Sequence, residues 1–270
     1  MNKILTAFVL AASILPPFAA AAEETPSALP TPRGGSVYRI NPAIDFPVLG
    51  AAALGAIVPL FIEPQLIHRK CPCDPNDVNS FDRPVIGNHD ETIGKISHFT
   101  VALAVAAPLV LDGADQGFNK AFAEDLMVYV EVLSLNTSLS HIARYGAQRP
   151  RPVAYEVSPP EIRAGEFLSF YSGHNASVFA ALSAASMTYG YRYGHKAWPW
   201  AVTAVLGLGE SAMRVAAGRH FYTDVIMGAA MGTAVGTLVP YLHRRYRKSS
   251  LTLAPTPDGS GAQLVWRKRF

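Results

Sequence analysis

Apolar segments alternate with polar loops over most of the chain, and these segments have the length of helices. Most contain about 17 residues, the lower limit for an α-helix that crosses the hydrocarbon of a membrane. Two longer polar loops, residues 63–95 and 150–166, follow the first and the third segment. We therefore expect an all-α fold, a bundle of about six helices. The segments are Phe46–Ile62, Ile96–Leu111, Ala121–Ala143, His174–Tyr189, Ala197–Met213 and Asp224–Leu242.

Charged and helix-breaking residues within the segments argue against a simple set of membrane spans. Glu131 and Glu210 lie in the third and fifth segments, and Pro47 and Pro59 interrupt the first. A carboxylate in lipid is costly and normally faces the interior of a bundle. In the sixth segment, glycines at four-residue spacing predict a face for close helix packing. These glycines are Gly228, Gly232 and Gly236.

The composition narrows the class of protein. Half of the residues are apolar and 16% are charged, whereas soluble domains are usually about 25% charged. Disorder is excluded, because disordered chains are poor in apolar residues and rich in charge. The net charge of +3 comes without a basic face or a known module, so we expect no nucleic-acid partner. A mean hydropathy of +0.18 leaves membrane helices or a very apolar helical domain.

The two ends of the chain differ from the helical part. At the N-terminus, Lys3, an apolar stretch and a run of alanines before Glu23 predict a signal peptide or an uncleaved anchor. Near the C-terminus, two short segments flank Pro257–Gly261 and predict a β-hairpin. The expected organisation is a signal over residues 1–22, a linker rich in Pro, Ser, Thr and Gly over 23–42, a helical domain over 43–248 and a tail over 249–270.

The chain has two cysteines, Cys71 and Cys73, in the first long polar loop. An exported chain places them in an oxidising compartment, where disulfides persist. A bridge across Cys-Pro-Cys closes a very tight ring, so a disulfide and two free thiols both remain open. Two cysteines alone are weak evidence for a metal site.

Arginines and prolines follow the third apolar segment in the run Arg144-Tyr-Gly-Ala-Gln-Arg-Pro-Arg151-Pro152. Arginine presents planar, paired donors that suit phosphate oxygens. The C-terminus of a helix also favours cations. This cluster therefore indicates either an anion site or the capping of a helix.

The fourth segment begins with Ser172, Gly173 and His174. Backbone N–H groups at a helix N-terminus bind anions, and His174 stands beside them, where it can donate a proton to a leaving group. Ordinary N-capping by Ser172 is the alternative.

A third cluster joins the last two segments and runs from Arg214 to His220 and Asp224. His220 and Asp224 are four residues apart, so on a helical turn they share one face. A carboxylate that holds one ring nitrogen leaves the other free as a nucleophile. A lone His–Asp pair is more often structural, but three such clusters in one chain favour chemistry.

Together the three clusters resemble the type 2 phosphatidic acid phosphatase superfamily, which includes class A acid phosphatases and vanadium haloperoxidases. The shared pattern is Arg-x6-Arg-Pro, then Ser-Gly-His, then Arg-x5-His-x3-Asp, and the resemblance covers about residues 96–242. Arg144 stands where the family has lysine, Tyr171 where it has proline, and Met213 where it has serine. None of these departures removes a charge or a proton carrier.

The resemblance implies a helical bundle with its active-site loops at one end. His220 is then the nucleophile that forms a phosphohistidine, Asp224 orients it, and His174 is first acid and then base. No metal and no other cofactor is expected. The implied phosphate ligands are Arg144, Arg151, Ser172, Gly173 and Arg214.

We therefore expect a phosphoric monoester hydrolase that acts on a lipid phosphate or diphosphate. The basic residues 191–196 and 243–248 fall on the face opposite the motifs, and the positive-inside rule places that face in the cytoplasm. The active site then faces the periplasm or the exterior. The alternatives are a soluble periplasmic acid phosphatase on small phosphomonoesters, a vanadate-dependent haloperoxidase, and a membrane scaffold with a degenerate site.

The number of crossings is a separate question. A cleaved signal followed by six crossings puts the active-site loops in the cytoplasm, against the charge pattern. Three alternatives remain: the first segment does not span, the signal is an uncleaved anchor and one segment is interfacial, or no segment spans. Protein partners are not predicted.

Overall fold

A computed structural model describes residues 35–68, 71, 73–156 and 163–245, and the backbone of 249–255 and 262–268. Six α-helices account for most of this described part, so the expected all-α bundle is confirmed. They are α1 (Pro42–Leu66), α2 (Glu91–Gln116), α3 (Lys120–Ala147), α4 (Gly173–Tyr193), α5 (Ala197–Ala216) and α6 (Tyr222–His243). Short 3-10 turns lie at Pro75–Asp77, Arg83–Val85, Pro152–Tyr155 and Ala164–Phe167.

Polar caps set where several helices begin, and they make the helices longer than the apolar segments. The side chains of Asn41, Asp90 and Asn119 each accept a hydrogen bond from a backbone N–H in the first turn of α1, α2 and α3. Such caps satisfy donors that have no partner within the helix. Gly117 and Gly194, both at positive φ, end α2 and α4.

Helix α4 lies at the centre of the bundle and packs closely on α6. A Cβ on Gly232 would lie 2.2 Å from the carbonyl oxygen of Ala176, and a Cβ on Gly236 would lie 2.4 Å from that of Ala180. Only glycine permits this approach, so the predicted packing face of α6 is confirmed. The contact fixes the start of α4 against the start of α6, where the site residues lie.

The end of the predicted linker is part of the folded domain. Val37 and Tyr38 are buried in the core, and Tyr38 forms a β-bridge with Arg244. The Tyr38 hydroxyl is 2.7 Å from Thr188 Oγ1. Residues 35–41 therefore cover the end of the bundle at which α4 and α6 terminate, and the predicted linker boundary at residue 42 lies too far along the chain.

Three helices have the length and composition of membrane spans within the described residues: α1, α2 and α6. Helix α1 is continuous through Pro47 and Pro59, and its 25 residues span about 37 Å at 1.5 Å per residue. Large apolar side chains such as Phe61, Phe99 and Leu238 are more than half exposed on these helices. An apolar surface of this kind indicates association with a membrane.

The C-terminal tail forms the expected hairpin. Strand β1 (Ser249–Pro255) pairs antiparallel with β2 (Ala262–Lys268), with Ser249 opposite Lys268. The turn between the strands and the predicted signal peptide of residues 1–22 lie outside the described residues.

Candidate active site

The residues of the three sequence clusters meet at one end of the bundle. The end of α3, the start of α4 and the turn between α5 and α6 all reach this end. The loop between α1 and α2 also packs here, because the amide of Asn88 donates to the carbonyl of Val215 over 3.1 Å. A disulfide joins Cys71 and Cys73 within that loop.

His220 is 2% exposed and is held through its Nδ1 atom. Nδ1 lies 2.8 Å from the carbonyl oxygen of Ser169. Because a carbonyl only accepts, Nδ1 carries the proton and Nε2 keeps its lone pair. Burial and then the charges of Arg214 and Arg151 lower the pKa of His220 well below its usual value. The ring is therefore neutral at pH 7, as a nucleophile requires.

Asp224 does not hold the His220 ring directly, which differs from the sequence expectation. Its Oδ2 atom is 4.0 Å from His220 Nδ1. Oδ2 instead accepts from the Ser169 hydroxyl over 2.5 Å and from the backbone N–H of Phe221 over 2.9 Å. Spacing places the two residues on one face, but the carboxylate turns to cap the first turn of α6. Asp224 thus fixes Ser169, and Ser169 fixes His220.

Arg144 lies across the start of α4. Its Nε donates to Ser140 Oγ over 3.0 Å, and its Nη2 lies 2.1 Å from where a Cβ on Gly173 would be. The glycine of Ser-Gly-His therefore makes room for the guanidinium. Burial and the charge of Arg151 lower the pKa of Arg144 to about 10.

Arg151 and Arg214 complete a group of three cations. Burial, and next the charge of Arg151, lowers the pKa of Arg214 to about 10. Burial also lowers the pKa of Arg151, although Glu166 opposes the shift. The buried Nε atoms of both arginines lack a hydrogen-bond partner among the residues described. Mutually repelling guanidiniums with unused donors have the charge and the hydrogen-bond donors that an anion such as phosphate requires.

Two of these arginines, Arg214 and Arg151, have a carboxylate nearby. Arg214 Nη1 donates to Ser97 Oγ over 3.2 Å, and that hydroxyl donates to Glu210 Oε1 over 2.6 Å. Glu166 Oε2 lies 3.8 Å from Arg151 Nε. Glu210 is the carboxylate within the fifth apolar segment of the sequence. Its side chain thus faces the bundle interior.

His174, in the first turn of α4, contacts a second histidine. Its Nε2 is 2.8 Å from His98 Nδ1 on α2. Burial, then the charges of Arg214 and His98, lowers the pKa of His174 to about 3. The ring is therefore neutral at pH 7 when no anion neutralises the arginines. His98 is exposed and belongs to no motif, so this contact could not be predicted from the sequence.

Ser172 acts as the N-cap of α4. Its hydroxyl accepts from Asn175 N over 3.5 Å, and its own N–H donates to the carbonyl of Asp224 over 3.1 Å. The preceding Tyr171, where the resemblance expects proline, is buried. Burial raises the pKa of Tyr171 to about 12, and its hydroxyl has no hydrogen-bond partner within the described part of the chain.

An ion-pair network around Arg149 holds two buried aspartates next to the site. Arg149 Nη1 lies 2.6 Å from Asp224 Oδ1, and Arg149 Nη2 lies 2.8 Å from Asp82 Oδ2. Asp82 also accepts from the backbone N–H of Thr223 over 3.0 Å. The guanidinium of Arg149 stacks over Phe221 at 4.3 Å. Arg149 therefore holds two carboxylates of the scaffold, whereas the Nε of the neighbouring Arg151 has no hydrogen-bond partner among the described residues.

Part of the chain is similar to a known protein family. Searches of the curated proteins and of the solved structures each returned no match to the chain. A family model, described as PAP2 superfamily, matches residues 125–248. The matched range contains all eight predicted site residues. Residues 125–248, which carry the arginines, the two histidines and Asp224, are therefore similar to the PAP2 superfamily.

Proposed function

We propose that this protein is a phosphatase that hydrolyses a lipid phosphate or diphosphate through a phosphohistidine at His220. Similarity to the superfamily supports phosphatase-type hydrolysis in general. The observation that carries the finer proposal is the group of three arginines, of which Arg214 is buried and the other two are half-buried, beside two neutral histidines. Two of these arginines have a buried Nε without a hydrogen-bond partner among the described residues. A phosphoryl group supplies the missing acceptors and the missing negative charge.

In the first step the lone pair on His220 Nε2 attacks phosphorus. The phosphorus–oxygen ester bond breaks, and its electron pair leaves with the alkoxide oxygen. His174 gives that oxygen a proton. Binding of an anionic phosphate offsets the arginine charges that lower the pKa of His174, so the bound substrate itself favours the protonated ring.

In the second step water hydrolyses the phosphohistidine. His174, now neutral, takes a proton from the water, whose oxygen attacks phosphorus. The nitrogen–phosphorus bond breaks, its electron pair returns to His220 Nε2, and phosphate leaves. The three arginines stabilise charge on the phosphoryl oxygens throughout, and a donor of this kind is typically worth on the order of 10²–10³ in rate.

The proposal of a lipid substrate is based on the apolar surface of the bundle. Helices α1, α2 and α6 present exposed apolar side chains, including Leu54, Phe61, Leu111 and Leu238. The site lies at one end of these helices, where a bilayer-embedded bundle meets the headgroup region. A headgroup phosphate can then enter the arginine group while its tails stay in lipid.

The proposed orientation places the active site outside the cytoplasm. The Cys71–Cys73 disulfide lies in a loop at the active-site end, and disulfides persist in oxidising compartments. Lys196, Arg244 and Arg245 lie at the other end, which the positive-inside rule assigns to the cytoplasm. Because α1 begins at that inner end, six crossings in this orientation require residues 35–41 to lie on the cytoplasmic side.

The test uses the full chain purified in detergent, with phosphate release measured from phosphatidic acid, a polyprenyl diphosphate and a small aryl phosphate. We expect the lipid substrates to be preferred, vanadate to inhibit, and His220→Ala to abolish release. His195→Ala, an exposed histidine at the opposite end, is the matched control and should retain full activity. Release that persists in His220→Ala contradicts the proposal. Exclusive activity on the aryl phosphate replaces the lipid substrate with a small phosphomonoester.

A further inference from the structure

Three ionisable side chains from different helices meet inside the bundle, far from the active site. Asp45 lies on α1, Glu131 on α3 and His243 at the end of α6. Their candidate ligand atoms all lie within 4.8 Å of one another. Counted along the helices, Glu131 is about 20 Å from Arg144 and His243 is about 28 Å from Asp224 at 1.5 Å per residue. This cluster is therefore separate from the phosphate site.

The His243 ring is held in the orientation of a metal ligand. Its Nδ1 lies 2.8 Å from the carbonyl oxygen of Val239, so Nδ1 carries the proton. In the neutral ring, the lone pair of Nε2 then faces the two carboxylates. Histidines that bind metals usually donate their other ring N–H to a carbonyl or carboxylate in this way.

The two carboxylates are buried and one of them lacks a hydrogen bond. Glu131 is 4% exposed, and its Oε2 accepts no hydrogen bond from any residue that the structure describes. Asp45 is 6% exposed. Its Oδ2 accepts from the backbone N–H of Asn41 over 2.6 Å, while Oδ1 faces His243. Two buried carboxylates with an unsatisfied oxygen need a compensating cation.

Both distances from the histidine fit a small tetrahedral ion, and the two carboxylate oxygens lie within 4.8 Å of each other. His243 Nε2 is 3.4 Å from Asp45 Oδ1 and 3.4 Å from Glu131 Oε2. Ligands about 2.0 Å from a tetrahedral ion are about 3.3 Å apart. One imidazole nitrogen and two carboxylate oxygens are donors that suit Zn²⁺ and similar divalent transition ions.

We propose that Asp45, Glu131 and His243 bind a divalent transition-metal ion, with Zn²⁺ as the reference ion and water as the fourth ligand. The ion joins α1 to α3 and α6 at the end of the bundle opposite the active site. Its role is structural, because no proposed catalytic group contacts the cluster. The competing arrangement is a protonated His243 that pairs with both carboxylates and leaves no room for a metal.

The experiment uses the full chain in detergent, without a polyhistidine tag and under non-reducing conditions that keep the Cys71–Cys73 disulfide closed. The protein is stripped with a chelator and titrated with Zn²⁺ against a chromophoric competitor. We expect one equivalent to bind, and Glu131→Gln and His243→Gln to weaken binding by at least about 100-fold. Glu124→Gln removes a carboxylate on the same helix outside the cluster, and it should bind like the wild type.

Two further measurements keep the proposal testable if a variant folds poorly. On the wild-type protein, Co²⁺ should give the visible absorption of a tetrahedral complex. Zn²⁺ at 100 times its dissociation constant should raise Tm by about 5 °C. Phosphate release at a temperature below Tm should be unchanged by the chelator, which separates this site from the catalytic one. Absence of tight binding to the wild type, or equal binding by His243→Gln, overturns the proposal in favour of the ion pair.

Discussion

His220 Nδ1 lies 2.8 Å from the carbonyl oxygen of Ser169, whereas the Asp224 carboxylate is 4.0 Å away. The backbone carbonyl of Ser169 thus keeps the proton on Nδ1. Asp224 acts on the ring only indirectly, because its carboxylate accepts a hydrogen bond from the Ser169 hydroxyl. In a triad where the carboxylate itself fixes the tautomer, its amide variant loses about 10⁴ in kcat. The arrangement here predicts a smaller dependence on the carboxylate.

Asp224→Asn should therefore reduce kcat by no more than about 100-fold, because the Ser169 carbonyl still selects the tautomer of His220. The variant should also lower Tm, since the half-buried Arg149 loses one of its two carboxylates. Steady-state phosphate release and thermal unfolding measure the two effects. Ser169→Ala keeps the carbonyl and is expected to stay within about tenfold of wild-type kcat. A loss in Asp224→Asn as complete as in His220→Ala would show that the carboxylate contacts the ring during catalysis.

Gly173→Ala should impair activity without loss of stability. The new Cβ would lie 2.1 Å from Arg144 Nη2, so it displaces the guanidinium from the start of α4. The displaced group is the end of a flexible side chain, and alanine is the better helix former by about 1 kcal/mol. We expect kcat/KM to fall on the order of 10²–10³, as for the loss of one phosphate ligand, with Tm unchanged or raised.

Arg144→Gln provides the comparison for this variant, because it removes the same ligand and leaves the glycine in place. The double variant should be no worse than either single one, since both changes act on one guanidinium. Additive losses in kcat/KM would indicate that Gly173 has a role apart from Arg144.

Acidification should destabilise the protein through its two site histidines. Burial and the arginine charges lower the pKa of His174 to about 3 and that of His220 well below its usual value. Below pH 6.5 the unfolded chain takes up protons on these rings and the folded chain does not. Stability is then complete above pH 6.5 and falls as pH decreases, with a slope that approaches about 1.4 kcal/mol per pH unit for buried His220.

Thermal unfolding between pH 7.5 and pH 4.5 measures this effect. His220→Gln should flatten the dependence of Tm on pH, and His195→Gln, which changes an exposed ring, should leave it intact. Phosphate or vanadate should protect the wild type most at low pH, because a bound anion favours protonated His174. An acid dependence that is the same in wild type and His220→Gln would assign it to other groups.

Local features of the sequence predicted most of the fold and marked the three clusters that the structure brings to one end of the bundle. Apolar segments mark the helices, and the spacing in Arg-x6-Arg-Pro and Arg-x5-His-x3-Asp places each residue at a helix end or turn. Contacts between distant segments carry no such local pattern. His98 touches His174 across 76 positions, and Asp82 caps Thr223 across 141. The burial of Tyr38 was missed for the same reason, because its partners lie on α4 and after α6.

The proposed orientation predicts which loops are accessible from outside the cell. In a Cys71→Ser, Cys73→Ser background, Ser80→Cys marks the active-site end and His195→Cys marks the other. Both positions are exposed. A membrane-impermeant maleimide applied to intact cells should label only the first, and permeabilisation should expose the second. The reverse pattern would place the active site in the cytoplasm, and equal labelling of both would indicate that the bundle does not span the membrane.

The contact between His174 Nε2 and His98 leads to a prediction about leaving groups. If His174 protonates the departing oxygen, its loss matters most for an alkoxide and least for an aryl oxide, which leaves without a proton. His174→Gln should therefore lower phosphorylation by alkyl phosphates by about 10²–10⁴ and that by aryl phosphates much less. Water activation is lost in both cases, so aryl phosphate should produce a burst followed by accumulated phosphohistidine in rapid-quench experiments. His98→Asn keeps the acid and should instead shift the pH profile of kcat/KM to higher pH, because the charge of His98 is one of the causes that lower the pKa of His174. Equal losses on alkyl and aryl substrates in His174→Gln would assign His174 to phosphate binding and leave another group as the acid.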